Sequence, residues 1–218
     1  MEFSTQPTPP APTAQPTALA GLALVLFLVL HLGGVGLALV DGPAFERYAA
    51  GLHGRWWLLV AELALAATGL GHGLLALVRR WRQRQARGPV APARLVSRRR
   101  DGAAALSART TALSGLLLAG FVALHLAELR WPRPATGQEL AQLLTVLHQP
   151  GRAWLYGLAG LAVGWHLLHG LESAHRSLGW LTPANGPWIR RGGRAVAVAV
   201  GLGFAGLPLA LLLQAGGP

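Results

Sequence analysis

The chain of 218 residues contains no cysteine and no lysine, and only 12% of its residues are charged. Without cysteine it cannot ligate an iron–sulfur cluster, attach a haem covalently or form a disulfide. A soluble domain of this length carries about twice that share of charge. Because 52% of the residues are hydrophobic, the chain is expected to lie in lipid. Since cysteine is absent, any redox chemistry must use a non-covalent cofactor held by histidine.

The basic residues number 19 against 8 acidic ones, giving a formal net charge of +11, and all of them are arginine. They cluster between apolar runs rather than along an amphipathic surface. This distribution is typical of the loops of a membrane protein and argues against a nucleic-acid-binding face.

Five apolar segments are each long enough for a transmembrane helix, which needs roughly 20 residues. They are residues 18–40, 56–78, 109–129, 153–174 and 195–214. The sequence therefore predicts an all-α integral membrane bundle of five transmembrane helices over residues 18–218. Residues 1–17 are rich in proline and threonine and lack the basic region of a signal peptide, so we expect a disordered cytoplasmic tail there.

Arginine is concentrated in the second and fourth gaps between these segments, and the other two gaps hold few. The second gap contains Arg79, Arg80, Arg82, Arg84, Arg87, Arg94, Arg98, Arg99 and Arg100, and the fourth contains Arg176, Arg190, Arg191 and Arg194. Positively charged loops remain on the cytoplasmic side. The N-terminus is therefore predicted to be cytoplasmic and the C-terminus to face outward, in the cell inner (cytoplasmic) membrane.

Histidine is costly inside a membrane and usually marks a functional site. Five histidines fall within the apolar segments: His31, His72, His125, His166 and His169. In this topology His31 and His125 share the outer half of the bundle, and His72 and His169 share the inner half. The two levels are separated by roughly 10–15 Å on the rise of an α-helix.

Two histidine pairs at two depths predict two bis-histidine sites for haem b. Iron with two imidazole ligands has no open position, which suits electron transfer rather than oxygen chemistry. His166 competes with His169 for the inner site, since it lies one turn further out, and it could serve instead as a hydrogen-bond partner or proton carrier. Zinc is a weaker alternative, because it requires more ligands at each depth than the segments offer.

The histidine contexts resemble one known family, the single-subunit, five-helix, di-haem cytochrome b of succinate dehydrogenases and menaquinol:fumarate reductases. The matching stretches are LVLHLGGVG, GLGHGLLALVRRW, GFVALHLAELR and HLLHGLESAHRSLGW. The resemblance covers residues 18–214. It implies that the outer haem is held by His31 and His125 and the inner one by His72 and His169.

The resemblance also implies a role and partners. The chain would anchor a flavoprotein subunit and an iron–sulfur subunit on the cytoplasmic face, and would pass electrons between them and a membrane quinone, with menaquinone favoured over ubiquinone. It would not be catalytic by itself. Some members of the family carry a proton-transferring glutamate two residues before the fourth ligand, where this chain has Leu167.

A quinone site is expected at the outer surface, near His31 and His125. The candidate residues there are Glu46, Arg47, His53, Trp56 and Trp57. A quinone needs an apolar slot and a protonatable group near its carbonyl oxygens. The same residues are equally typical of an interfacial aromatic belt with solvated charges.

Two other functions remain open from the sequence. One is the cytochrome b subunit of another quinone-linked dehydrogenase or hydrogenase, although such subunits usually draw haem ligands unevenly from their helices. The other is a haem-free membrane anchor or small transporter, whose histidines pack or relay protons.

Overall fold

The computed structural model describes residues 13–86 and 102–215, and all regular structure in those ranges is helical. The helices are α1 (Ala14–Val40), α2 (Gly42–His53), α3 (Trp57–Ala86), α4 (Gly102–His125), α5 (Glu139–His148), α6 (Arg152–Ser177) and α7 (Gly186–Ala215). A π-helical turn, Leu126–Arg130, continues α4. The all-α prediction is confirmed for the described ranges.

Four of these elements are long and apolar enough to cross a membrane: α1, α3, α4 together with its π-helical turn, and α7. They coincide with the predicted spans 18–40, 56–78, 109–129 and 195–214. Four helices of this length and composition indicate a multi-pass membrane protein. The fourth predicted span, 153–174, lies within α6, which is not among these four elements, so the fifth span stays a prediction. Of the predicted tail, residues 1–12 lie outside the described ranges, and its last residues already belong to α1.

Helix α6 occupies the centre of the bundle, where it packs on α7, α4 and α1. Its contact with α7 is a seam of small residues in antiparallel register. A Cβ added to Gly160 would lie 2.5 Å from the backbone nitrogen of Ala205, and one added to Gly164 would lie 2.9 Å from Cα of Gly201. Small residues allow membrane helices to approach this closely, and only glycine fits at these two positions.

Helix α3 is the least embedded element, because none of its residues is buried. It rests mainly on α1 and barely touches α4. Large apolar side chains such as Leu59, Leu63 and Leu70 are each more than 60% exposed along its length. Those surfaces are suited to lipid, and the side of α3 toward α4 is only lightly packed.

Two short amphipathic helices, α2 and α5, form where the sequence analysis expected loops. Asp41 caps α2 by accepting a hydrogen bond from the backbone of Ala44, and Pro43 follows in the first turn, a common helix start. Phe45 of α2 and Leu143 and Leu147 of α5 are buried together in one apolar cluster. The two helices therefore form a cap over one end of the bundle.

Candidate functional site

The rings of His31 on α1 and His125 on α4 lie against each other, with centroids 5.9 Å apart and planes at 83°. Aromatic side chains surround them. Phe27 stacks on His31 at 5.2 Å, and Phe121 and Tyr156 each lie 5.9 Å from His125. The side-chain pairing that the sequence predicted for the outer level is therefore present as a contact, and its role as a ligand pair stays a prediction.

Nδ1 of His125 is buried without a hydrogen-bond partner among the described residues. Buried polar atoms in native proteins are nearly always satisfied, because desolvation without compensation is costly. A bound group that contacts this nitrogen would supply the missing partner.

The second histidine contact joins α3 to α6. The ring of His72 lies 6.4 Å from that of His166, with the planes at 75°. The sequence assigned His169 to this level. His169 lies one turn further along α6, close enough to interact electrostatically with His166. Its assignment stays a prediction, while the geometry brings forward His166, the alternative inner ligand.

Hydrogen bonds fix the tautomers of both rings at this level. Nδ1 of His72 lies 3.0 Å from the carbonyl oxygen of Thr17, which can only accept, so Nδ1 carries the proton. The hydroxyl of Ser114 donates to the carbonyl of Thr111, and it therefore accepts from Nδ1–H of His166 at 3.0 Å. Nε2 of each ring keeps its lone pair, which is the arrangement found in most metal-ligating histidines.

Glycines lie beside both rings. A Cβ on Gly21 of α1 would lie 3.1 Å from Cε1 of His72, and one on Gly115 of α4 would lie 3.5 Å from Cε1 of His166. Along α1, Gly21 precedes His31 by ten residues, and at a rise of about 1.5 Å per residue the two levels are about 15 Å apart. Ser114 and His125 on α4 give a similar separation.

Both contacts match the spacing required by a bis-histidine metal site. A metal–imidazole bond is about 2 Å, so two rings that bind one metal through Nε2 have centroids roughly 6 Å apart. Within residues 13–86 and 102–215, no group of three or more His, Asp or Glu side chains is arranged to hold a metal ion. Two imidazoles are the axial ligand set of a porphyrin iron, whereas zinc requires further protein ligands at each level.

The cap brings together two of the predicted quinone residues. Glu46 of α2 accepts hydrogen bonds from the backbone nitrogens of Glu139, at 3.2 Å, and Leu140, at 2.8 Å. It thereby caps α5, whose own N-cap residue, Gln138, makes no side-chain cap. Nδ1 of His53 lies 3.2 Å from the buried carboxyl group of Glu139.

The carboxyl groups of Glu46 and Glu139 also share a hydrogen bond. Burial, and then this bond, raise the pKa of Glu46. Burial alone would raise the pKa of Glu139, but hydrogen bonds from Glu46, from two backbone nitrogens and from His53 bring it below its usual range. Of the two carboxyl groups, Glu46 is therefore the one that keeps its proton to higher pH.

The other predicted quinone residues lie apart from that cluster. The side chain of Arg47 is 72% exposed and reaches Asp41 at 3.9 Å. Trp57 is 42% exposed at the start of α3, and Trp56 is 85% exposed just before it. Their part in quinone binding stays a prediction.

Two ion pairs near the same end were not identified from the sequence. Arg130 binds Glu62 with two hydrogen bonds, Nε to Oε1 at 2.7 Å and Nη2 to Oε2 at 2.6 Å. Glu128 accepts from the hydroxyl of Tyr156 at 2.9 Å and pairs with Arg152 at 2.8 Å. An acidic residue within an apolar span is a signal that could have found Glu62 and Glu128, although not their partners.

Comparison of the chain with protein-family models, with curated proteins and with solved structures finds no match.

Proposed function

We propose that this chain is the membrane anchor and di-haem electron-transfer subunit of a succinate:quinone oxidoreductase. The observation that carries the proposal is the pair of histidine contacts, 5.9 Å and 6.4 Å between ring centroids, at two levels of one membrane bundle. Each spacing suits two axial ligands of one iron, and the separation of the levels, about 15 Å, suits electron transfer between two such centres.

His31 and His125 would hold the outer haem. His72 would hold the inner haem with a histidine of α6, and the ring contact favours His166, whose ring centroid lies 6.4 Å from that of His72. Bound haem would supply one-electron chemistry at each level. The chain contributes the orientation of the imidazoles and a dry, aromatic-lined surrounding at the outer level.

The proposal includes five spans, with α6 as the fifth. Exposed tryptophans mark both ends of the bundle, as they do at membrane–water interfaces. They are Trp56, Trp131 and Trp154 at one end and Trp81, Trp180 and Trp188 at the other. Trp154 lies in the first turn of α6 and Trp180 lies just beyond its end; α6 itself has 26 residues, about 39 Å of helix, which exceeds the hydrocarbon thickness of about 30 Å.

The arginine-rich end supports a cytoplasmic face on which a flavoprotein and an iron–sulfur subunit would dock, in the inner membrane. In this role the chain has no substrate turnover by itself and completes the enzyme only with those subunits. Quinone would react at the outer end. These assignments follow from the family resemblance and from the charge asymmetry of the loops.

Haem stoichiometry tests the proposal and the inner ligand together. The complex, purified through this chain, should contain two haems per chain by pyridine haemochrome. His166→Ala should leave one haem and His169→Ala should leave two, with the reverse result assigning His169. A wild-type complex that binds no haem would refute the proposal and support a haem-free anchor.

The co-purifying subunits provide the second readout. A flavoprotein with succinate dehydrogenase activity supports the proposal. A nickel or molybdenum enzyme would instead assign the chain to another quinone-linked oxidoreductase.

A further inference from the structure

The bidentate ion pair of Glu62 and Arg130 joins two candidate membrane spans near their outer ends: Glu62 is the sixth residue of α3, and Arg130 is the last residue of the π-helical turn that continues α4. The side chains of Glu62 and Arg130 are 31% and 27% exposed, so the pair is not buried in the core. A carboxyl group inside a candidate span, as Glu62 is, is costly and marks a functional position by default.

The helices that carry the pair are only lightly packed. None of the residues of α3 is buried, and α3 barely touches α4. Leu59 and Leu63 flank Glu62 and are each 62% exposed, and Trp131 beside Arg130 is 70% exposed. Exposed apolar side chains beside a charged pair suit a ligand that has an apolar ring, a long isoprenoid chain and polar carbonyl groups.

The backbone around Arg130 is irregular in a way that is typical of functional sites. The amide of Trp131 bonds to the carbonyl of Leu126 at 2.8 Å, five residues back, so the chain makes a π-helical turn. Such a single turn adds one residue to a helix and rotates the residues beyond it, and turns of this kind occur frequently at binding sites. Arg130 is the last residue of this turn and reaches Glu62 on α3.

The pair still has hydrogen-bonding capacity for a ligand. Its two bonds engage Nε and one terminal nitrogen of Arg130, and a guanidinium has five N–H donors, so the other terminal nitrogen keeps two. Each oxygen of Glu62 has a second lone pair. Arg130 lies five residues beyond His125, about 7.5 Å further along the helix.

We infer that Glu62 and Arg130 form the head-group end of a quinone site that is entered from the membrane between α3 and α4. Arg130 donates to a carbonyl oxygen of the quinone, and Glu62 accepts from a hydroxyl group of the quinol. His53 lies near Glu62 and also contacts Glu139, so it links this site to the acidic cluster of the cap. The inference rests on the proposed function, which supplies the quinone.

The test uses the assembled complex and equilibrium dialysis of an alkyl-substituted hydroxyquinoline N-oxide, a quinol analogue whose binding needs no turnover. Glu62→Gln and Arg130→Gln should each weaken its binding about tenfold to hundredfold, which is the value of a hydrogen bond to a charged group. Glu172→Gln is the matched control, because Glu172 pairs with Arg176 at 2.7 Å at the other end of α6. It should bind the analogue as the wild type does.

The exchanged variant, Glu62→Arg with Arg130→Glu, distinguishes a role in ligand binding from a role in holding α3 and α4 together. It restores the attraction between α3 and α4, so it should assemble even if the single variants do not. Weak analogue binding by the exchanged variant supports the inference. Wild-type affinity in either the single variants or the exchanged variant would overturn it.

Haem content measured on the same samples distinguishes failure of the quinone site from failure of the proposed function. Loss of analogue binding in variants that keep both haems supports a quinone site at Glu62 and Arg130. A wild-type complex without haem would refute the proposed function, while its analogue binding would still decide the role of Glu62 and Arg130.

Discussion

The two histidine levels of this bundle are built differently. At the inner level both rings are fixed by hydrogen bonds, His72 to the backbone of Thr17 and His166 to Ser114. At the outer level His31 and His125 are held by aromatic packing, and Nδ1 of His125 has no hydrogen bond among the described residues. The inner rings are therefore oriented by hydrogen bonds, whereas the outer rings are oriented by packing.

Charge divides the molecule in the same way. Of the carboxyl groups in the described ranges, only Glu172 lies toward the inner end. The others, at the outer end, are Asp41, Glu46, Glu62, Glu128 and Glu139. Under the proposed function, the carboxyl groups of the outer end would exchange protons with a quinone, and the arginine-rich inner end would face the docked partner.

The largest expected effect is a change that disturbs both histidine levels at once, because both depend on the packing of α6. Gly160→Ala places a Cβ 2.5 Å from the backbone of Ala205, and backbone cannot move aside as a side chain can. We expect the α6–α7 seam to open at a cost of about 1–3 kcal/mol, with a lower Tm of the purified complex and loss of haem from both levels.

Gly206→Ala is the matched control for that substitution. Gly206 lies on α7 close to the same seam, but a Cβ there meets nothing within 4 Å. Its Tm should equal that of the wild type. Equal Tm values for the two variants would mean that the close approach at Gly160 is not needed for stability.

A smaller effect should be confined to the inner level. Ser114→Ala removes the acceptor for Nδ1–H of His166, and loss of such an outer-shell partner typically weakens metal binding about 10–100-fold. Haem titration of the apoprotein should show one weakened site and one unchanged site. Both sites unchanged would show that this hydrogen bond does not orient the ligand.

Ser107→Ala provides the control on the same helix. Ser107 is also buried, but its hydroxyl donates only to the backbone of Ala104. Both haem sites should therefore be unaffected. A defect equal to that of Ser114→Ala would point to α4 in general rather than to His166.

The sequence located the helices well because a long apolar run has few alternatives in a chain with so little charge. It missed α2 and α5, which are short and lie in segments rich in glycine and proline. The signals were present, however: Asp41 followed by Pro43 starts α2, and Leu140, Leu143 and Leu147 recur at helical spacing in α5.

Depth along a helix was enough to place His31 and His125 together, but not to choose between His166 and His169. These two differ by about 4.5 Å in depth and about 60° around α6. The choice depends on which direction faces α3, and Ser114 on another helix contributes to it. Pairs such as Glu62 with Arg130, which are 68 residues apart, are likewise invisible until the helices are packed.

The smallest expected effect is a pH dependence of the stability of the cap at the outer end. The pKa of Glu46 is raised in the folded cap, so its contribution to stability is present at low pH and is lost as the pH rises through that raised value. The pKa of Glu139 is lowered, so its contribution is lost only as the pH falls through the lowered value. The cap formed by α2 and α5 should be most stable at a pH between the lowered pKa of Glu139 and the raised pKa of Glu46.

Because the chain has no cysteine, a single pair of labels can report on the cap. Arg47→Cys on α2 and Thr145→Cys on α5 place spin labels on two exposed positions. Above the raised pKa of Glu46 both carboxyl groups are charged and repel each other, so the distribution of label distances should broaden. Glu46→Gln remains uncharged and should keep a narrow distribution at the same pH, whereas broadening in both proteins would assign the change to another group.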